Sequence, residues 1–314
     1  MREVVLGYDV GGTKILAVVG DTNGVVYSKI EKKTIKHLGR ERLVQQLYEI
    51  GEEALKTADK KISKIGIIFA GLIDQTTGTV ITSPNIPSAD GLKICELLTA
   101  HFKAPSYIEN DATAAAIAEK MFGVAKNADD FIYIPLSTGI GSGIFVNGRV
   151  LRGAHGLAGE LGHTVIQIHG PQCTCGREGC FEALASGSAI ARYAAENIDD
   201  LIHNGGRMHE KERIDARAVF NLYMQGNRTA AEIVSHVVEV IAVGIVNIAC
   251  ILDPEMIILG GGLSRAGDEF IENIRKAVKK EFKTMKRDLK IVRATTDITE
   301  LSPLALIGYQ SSFE

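Results

Sequence analysis

Neither sign of charge dominates this chain: 35 lysines and arginines stand against 38 aspartates and glutamates, a net charge of −3. That balance leaves no basic stripe of the kind that grips nucleic acid or an anionic membrane surface, so both partners are disfavoured. A secretion signal is absent too, because MREVVLGYDVGG runs straight into a strand and a glycine turn with no apolar core or small-residue cleavage site. A cytoplasmic protein is expected. The longest charge-free apolar run towards the C-terminus, VIAVGIVNIACIL from Val240 to Leu252, is shorter than the ~20 residues that cross a bilayer, which favours a buried helix. There is no low-complexity tract and no flexible linker. What remains is 314 residues at 46% hydrophobic content, enough for two domains that each bury a core.

Cysteine is scarce, and its placement is uneven. Three of the five cysteines fall in HGLAGELGHTVIQIHGPQCTCGREGCFE, residues 155 to 182, while Cys95 and Cys250 sit alone among apolar neighbours and read as core. Cys173, Cys175 and Cys180, with His163 ten residues upstream of the first, offer three sulfurs and one imidazole for a tetrahedral zinc ion. Gly176 and Gly179 supply the tight return that lets the three sulfurs converge. Four protein ligands leave no open position for a reactive water, so such a zinc is structural. Buried thiols or a disulfide are the alternative reading.

Residues 4 to 30 read as strand, glycine turn, strand, Asn-Gly hairpin, strand. In the turn DVGGTK, Gly11 and Gly12 free backbone amides to point at an anion, Thr13 adds a hydroxyl, Lys14 a charge, and Asp9 a carboxylate for magnesium. A plain hairpin explains the pair of glycines equally simply. Residues 131 to 151, FIYIPLSTGIGSGIFVNGRVL, repeat the layout down to the Asn147-Gly148 hairpin. Two such units imply two related domains, with the phosphates of a nucleotide in the cleft between them.

Between the hairpins, the pattern predicts a helix over 40 to 57, a buried strand over 64 to 70 and a helix over 92 to 102, hence α/β layers. The loops AGLID and SPNIPS follow, and Asn85 in the second is either a partner for a ligand hydroxyl or a turn-shaping residue beside proline. In SYIENDATAAAIAEKMFG a short strand to Ile108 leads through Glu109, Asn110 and Asp111 into an alanine-rich helix. Asp111 is either its N-cap or a general base, with Asn110 beside it for the same substrate. Helical stretches fill 183 to 228, separated by NGG at 204 to 206 and by Gly226-Asn227, and His203 and His209 read as surface. A long apolar helix covers 229 to 252, and EMIILGGGL is a strand ending in Gly260, Gly261 and Gly262, a turn or a bare backbone that suits a purine ring. The last twelve or so residues form a terminal helix.

Taken together, DVGGTK, END, LSTGIGSG, GELGH, the cysteine loop and IILGGGLSRAG resemble, in order and spacing, the ROK family of sugar kinases and repressors. The resemblance implies the actin-like ATPase (ribonuclease H-like) fold, two α/β domains around a central cleft. Residues 1–112 form the smaller domain, completed by the helix 302–314, and 113–301 the larger one with the zinc loop. It implies ATP, Mg2+ and structural Zn2+ as cofactors, a small-molecule sugar as substrate and assembly as a dimer or tetramer. Asp111 becomes the base that deprotonates the sugar's 6-hydroxyl. Gly71, Asn85, Asn110, Glu160, His163 and Glu182 bind sugar hydroxyls, with the second ring nitrogen of His163 facing the sugar while the first holds zinc. Asp9, Gly11, Gly12, Thr13 and Lys14, with Ser137, Thr138, Gly139 and Gly141, hold the phosphates and magnesium, and Gly260, Gly261 and Gly262 meet adenosine.

One departure concerns the sugar. Where sugar-binding members often carry Pro-Asn-x-Pro-x-Trp, this chain, which has no tryptophan, places Ala89. Glucose is the expected substrate, with an enlarged pocket for N-acetylmannosamine or another N-acetylhexosamine as the alternative, or fructose. Repressors of the family add an N-terminal helix-turn-helix, for which the eight residues before Asp9 leave no room. A kinase is therefore expected.

Overall fold

The repeat read from the two hairpins reappears as two sheets of the same topology. The computed structural model describes residues 4–203, 214–283, 288–295 and 298–313; the expected helix break at 204 to 206 and the expected surface residue His209 lie outside them. The first five-stranded sheet begins with β1 (Val4–Val10), β2 (Lys14–Asp21) and β3 (Val26–Lys33), then α1 (Gly39–Ala58) leads to β4 (Lys64–Phe69). A small antiparallel pair, β5 (Leu72–Asp74) and β6 (Thr79–Thr82), precedes α2 (Ile94–Phe102), β7 (Ser106–Asn110) and α3 (Asp111–Met121). The sheet order is β3-β2-β1-β4-β7, antiparallel on the hairpin side and parallel from β1 onward.

The second sheet is built from β8 (Phe131–Pro135), β9 (Gly143–Val146) and β10 (Arg149–Val150). After the cysteine loop come α4 (Phe181–Ala185), α5 (Gly187–Glu196), α6 (Ile198–His203), α7 (Ala216–Met224) and α8 (Arg228–Leu252), then β11 (Met256–Gly260), α9 (Asp268–Glu281) and β12 (Lys290–Arg293). Its order, β10-β9-β8-β11-β12, repeats the first strand for strand, again antiparallel then parallel. The chain ends in α10 (Ser302–Ser311).

Contacts divide the chain into one unit of 1–127, 152–158 and 295–314 and another of 128–151 and 159–294. The terminal helix joins the first unit, where a smaller domain was expected to be completed. The helix α3, assigned by sequence to the larger domain, lies with the first unit because it packs along α10. Glycines in the strands make room for that helix: a Cβ on Gly66 would stand 2.2 Å from the carbonyl oxygen of Pro303, and one on Gly7 2.5 Å from its side chain. Leu304 and Ile307 of α10 are buried against Val5 and Val18.

In the first unit, Leu6, Tyr8 and Val10 of β1 pack with Ile65, Ile67 and Phe69 of β4 and with Leu43, Leu47 and Ile50 of α1. Each such side chain contributes roughly 1.5–3 kcal/mol on burial. In the second, Ile257 and Leu259 of β11 and Ile132 and Ile134 of β8 pack with Ile233, Val237, Ile241 and Ile245 of α8. The helix α8 is long and apolar enough, by length and composition, to cross a membrane, although the charge-free run within it is not. It is a core helix, carrying Val237 and Ile241 fully buried. Cys95 is buried as expected, but Cys250 is exposed, a correction. It follows Ala249, the last buried position of α8, by about 100° of helical turn, and so shares the outer face with Ile251.

Candidate active site

The parallel strands of the first sheet finish together. Val10 of β1 is in register with Phe69 of β4, and Phe69 with Asn110 of β7. The loops DVGGTK and AGLID and the residue Asp111 therefore leave the sheet at one edge, the carboxyl edge where ligands of α/β sheets bind. SPNIPS is brought to the same place: a Cβ on Gly12 would stand 2.7 Å from that of Asn85, so the two backbones meet because position 12 has no side chain. Gly71 has φ +153°, and a Cβ there would strike the carbonyl oxygen of Thr82 at 2.5 Å.

The question of which residue caps α3 is settled by hydrogen bonds. Asn110 is the N-cap, its Oδ1 accepting the N–H of Thr113 at 2.7 Å. The cap reading of Asp111 is thereby corrected: Asp111 opens the first turn, and its Oδ1 accepts the N–H of its neighbour Ala112 at 2.9 Å. The strand runs two residues further than Ile108, which moves the cap forward to Asn110. With Oδ1 engaged, Asn110 keeps its amide N–H groups for a ligand acceptor. Asp111 is open to solvent on one side, yet the protein around it strips enough water to raise its carboxyl above the ordinary value, against the N–H of Ala112. Asp9 is half-buried, and its carboxyl is pushed up to about 6, first by burial and next by the charge of Asp111, with Lys14 opposing. Lys14 itself is exposed and bound to Glu31, Nζ to Oε2 at 2.7 Å, which raises its pKa.

Behind the corner stands Glu109, 1% exposed. One carboxylate oxygen accepts Gln75 Nε2 at 2.9 Å and Asn110 N at 3.0 Å, and the other accepts Arg152 Nη2 at 2.8 Å. This cluster holds the strand end that presents Asn110 and Asp111. Sequence reading missed Gln75 and Arg152, since they lie 34 and 43 residues from Glu109 and only the fold brings them to it.

In the second unit the strands again end in register, Pro135 of β8 with Gly260 of β11. The turn after β8 exposes Ser137 and Thr138. The first amides of α5 bind it, Gly187 N to Ser137 O at 2.7 Å and Ser188 N to Thr138 O at 3.2 Å. The three glycines after β11 divide their work. A Cβ on Gly260 would collide with Tyr133 at 2.0 Å, and Gly261, at φ +78°, would collide with Leu136 O at 2.4 Å, whereas Gly262 faces open space. Gly262 lines a cavity of about 1260 Å³ with Ser137, Thr138, Ala191, Phe220 and Leu263. A cavity of that volume is large enough to take a small-molecule ligand. Its wall on α5 and α7 was read as plain helix, and the small face Gly187, Ala191 and Ala195 of α5, spaced by four, was the available signal.

The cysteine loop converges as the spacing predicts. The ligand atoms of His163, Cys173, Cys175 and Cys180 all lie within 4.8 Å of one another. Cys173 Sγ is 3.7 Å from His163 Nδ1, and Cys175 Sγ is 3.7 Å from Cys180 Sγ. With zinc-sulfur bonds of ~2.3 Å a tetrahedron has edges of about 3.8 Å, so the set fits zinc. Gly176 and Gly179 take φ of +88° and +67°, and a Cβ on Gly179 would overlap Gln167 O. Burial, then hydrogen bonds with the other two thiols, push Cys180 up to about 12, while the N–H of Arg177 leads the groups that hold Cys175 below its usual value. Each thiolate and the neutral imidazole would hold the ion by one atom, and the ion would fix the loop. The other nitrogen of His163, Nε2, faces Glu160 at 3.9 Å. Glu182 Oε2 accepts the N–H of Ile140 at 2.8 Å, which places this expected sugar ligand against the hairpin turn.

Ala89, the departure from the aromatic position, is 0% exposed and part of the first unit's core.

Comparison with known proteins gives a match to the ROK family model over residues 5–297. A glucokinase of Thermotoga maritima is 34% identical over 87% of this chain and 86% of its own length. An N-acetylmannosamine kinase of Citrobacter koseri is 31% identical over 88% and 89%, and a putative xylose repressor of Caldicellulosiruptor sp. 32% identical over 88% and 70%. Among solved structures, the ROK hexokinase from Thermus thermophilus aligns with TM-score 0.85 at 33% identity, covering 100% of this chain and 99% of the other. A ROK family glucokinase from Streptomyces griseus in complex with glucose and AMPPNP aligns with TM-score 0.80 at 29% identity, covering 98% and 99%.

Proposed function

The chain belongs to the ROK family and has its actin-like fold, and from that premise we propose that it is an ATP-dependent kinase phosphorylating the 6-hydroxyl of a hexose, with glucose the first candidate. The observation that carries the reading is the common edge of β1, β4 and β7, where Asp9, Gly12, Gly71, Asn85, Asn110 and Asp111 are gathered. Asp111 takes the proton of the 6-hydroxyl as that oxygen bonds to the γ-phosphorus, and the bond from phosphorus to the β-phosphate oxygen breaks to release ADP. A carboxyl raised by its surroundings is suited to accept that proton. Asn110 offers N–H donors to a neighbouring hydroxyl, and Asn85, Gly71, Glu160, His163 and Glu182 complete the sugar's partners.

Asp9 fits a magnesium site, because a carboxylate that burial and Asp111 push up to about 6 gains from a nearby cation. When bound, the ion neutralises phosphate charge. The backbone of Gly11 and Gly12, with Thr13, receives phosphate oxygens. Lys14 reaches them by exchanging Glu31 for phosphate, while Ser137, Thr138, Gly139 and Gly141 hold phosphates from the second unit. The nucleoside occupies the cavity floored by Gly262, with Gly260 and Gly261 shaping its rim.

Glucose ranks first because the relatives include glucokinases and a solved relative is bound to glucose and AMPPNP. N-acetylmannosamine is the second reading, from the kinase relatives of that specificity. A panel of hexoses and N-acetylhexosamines with Mg-ATP and coupled ADP detection decides between them: the highest kcat/KM is expected for glucose, and a preference for acetamido sugars reverses the order. Sequence-specific DNA binding in a gel shift, with no ADP from any sugar, would overturn the kinase reading in favour of a repressor.

A further inference from the structure

Two residues beside the metal ligands close on a single residue of the hairpin turn. Gly162 immediately precedes His163, and Glu182 follows Cys180 by two. Glu182 Oε2 accepts the N–H of Ile140 at 2.8 Å. From the other side, a Cβ on Gly162 would lie 1.9 Å from Ile140 O and 3.4 Å from Glu182 Cβ, so the loop can approach only as glycine. The neighbouring stretch is stitched in the same way, Ser142 Oγ donating to Gly159 O at 2.7 Å. Phe181 N donates to Thr164 O at 2.8 Å, and Val165 pairs with Cys180, which binds the His163 and Cys180 arms of the cluster together.

We propose that Glu182 and Gly162 are positioning residues through which the metal cluster sets the geometry of the Ser137–Gly141 turn, so that metal occupancy is felt as nucleotide affinity. The reason is mechanical. The contacts among the sulfurs and His163, 3.6 to 3.7 Å, are weak beside metal-ligand bonds. Loss of those bonds frees the two arms that grip Ile140, and the amides of the turn lose their alignment. The proposal rests on the reading of this turn as a phosphate site.

The test is AMPPNP titration by calorimetry without sugar, on zinc-loaded and chelator-stripped protein whose far-UV circular dichroism matches. Glu182→Ala, shown by elemental analysis to keep its zinc, is expected to raise the Kd roughly tenfold or more, as for loss of a hydrogen bond to a charged group. Glu182→Gln, whose Oε1 still accepts the Ile140 N–H, stays near wild type. Stripping zinc weakens wild type to a similar extent and has little further effect on Glu182→Ala, since both changes release the same grip. Equal AMPPNP affinity for wild type and Glu182→Ala, or an equal loss on stripping in both, overturns the proposal. If wild type binds no nucleotide, the phosphate-site reading fails by itself. Hydrogen exchange at Ile140 then decides the clamp: faster exchange in Glu182→Ala and after stripping supports it, and unchanged exchange sinks it.

Discussion

At the corner before α3 the helix cap falls to Asn110, which leaves Asp111 available for the proposed proton transfer. Because Asn110 caps α3, Asp111→Asn leaves the cap in place, and the variant is expected to fold and bind ATP normally. Its kcat falls by roughly 10²- to 10⁴-fold, the contribution of a positioned general base. Near-wild-type kcat would remove Asp111 from the mechanism. Asn110→Ala removes the cap and costs ~1 kcal/mol, read as a lower denaturation midpoint. Asp9 gives a prediction of opposite sign. Its carboxyl rises from 3.8 to about 6 in the folded protein, so the stability it contributes is complete below 3.8 and is lost as pH climbs through about 6. Without magnesium, Asp9→Asn should therefore match wild type in acid and become the more stable protein by pH 7, while losing activity. Thermal melts between pH 4 and 7 check this, and a variant less stable than wild type throughout contradicts it.

At the scale of the element, the loop carrying Cys173, Cys175 and Cys180 has little apolar packing of its own, since Cys175 and residues 174 to 178 around it are exposed. An ion held by the four ligands would fix its order. Purified protein should contain about one zinc per chain, and Cys175→Ser should lose it together with several degrees of Tm, because structural zinc contributes directly to folding. Metal-free preparations made without chelator and with unchanged Tm would refute the assignment. The loop was legible in advance because its ligands are close in sequence and its turns need glycine at Gly176 and Gly179. The cap of α3 was not, because Asn110 and Asp111 are both good cap residues and only the length of β7 decides between them.

At the scale of the molecule, one helix from the end of the chain completes a sheet begun at its start. Leu304 is buried against Val5 and Val18, so Leu304→Ala should cost ~2–5 kcal/mol and lower the melting temperature. A change below about 0.5 kcal/mol would mean that α10 adds little to the first unit.

The sequence by itself determined the repeat, the α/β class, the convergent cysteine loop and the two glycine turns after β1 and β8, because each rests on local patterns: alternating apolar strands, glycines at turns, side chains within a few residues of one another. Only the tertiary structure decided the partners of Glu109, the cavity wall on α5 and α7, the burial of Ala89 and the grip of Glu182 on Ile140. Those depend on which strands end in register and which backbones meet where glycine leaves room, and residues 34 to 43 positions apart come together only when the sheet has formed.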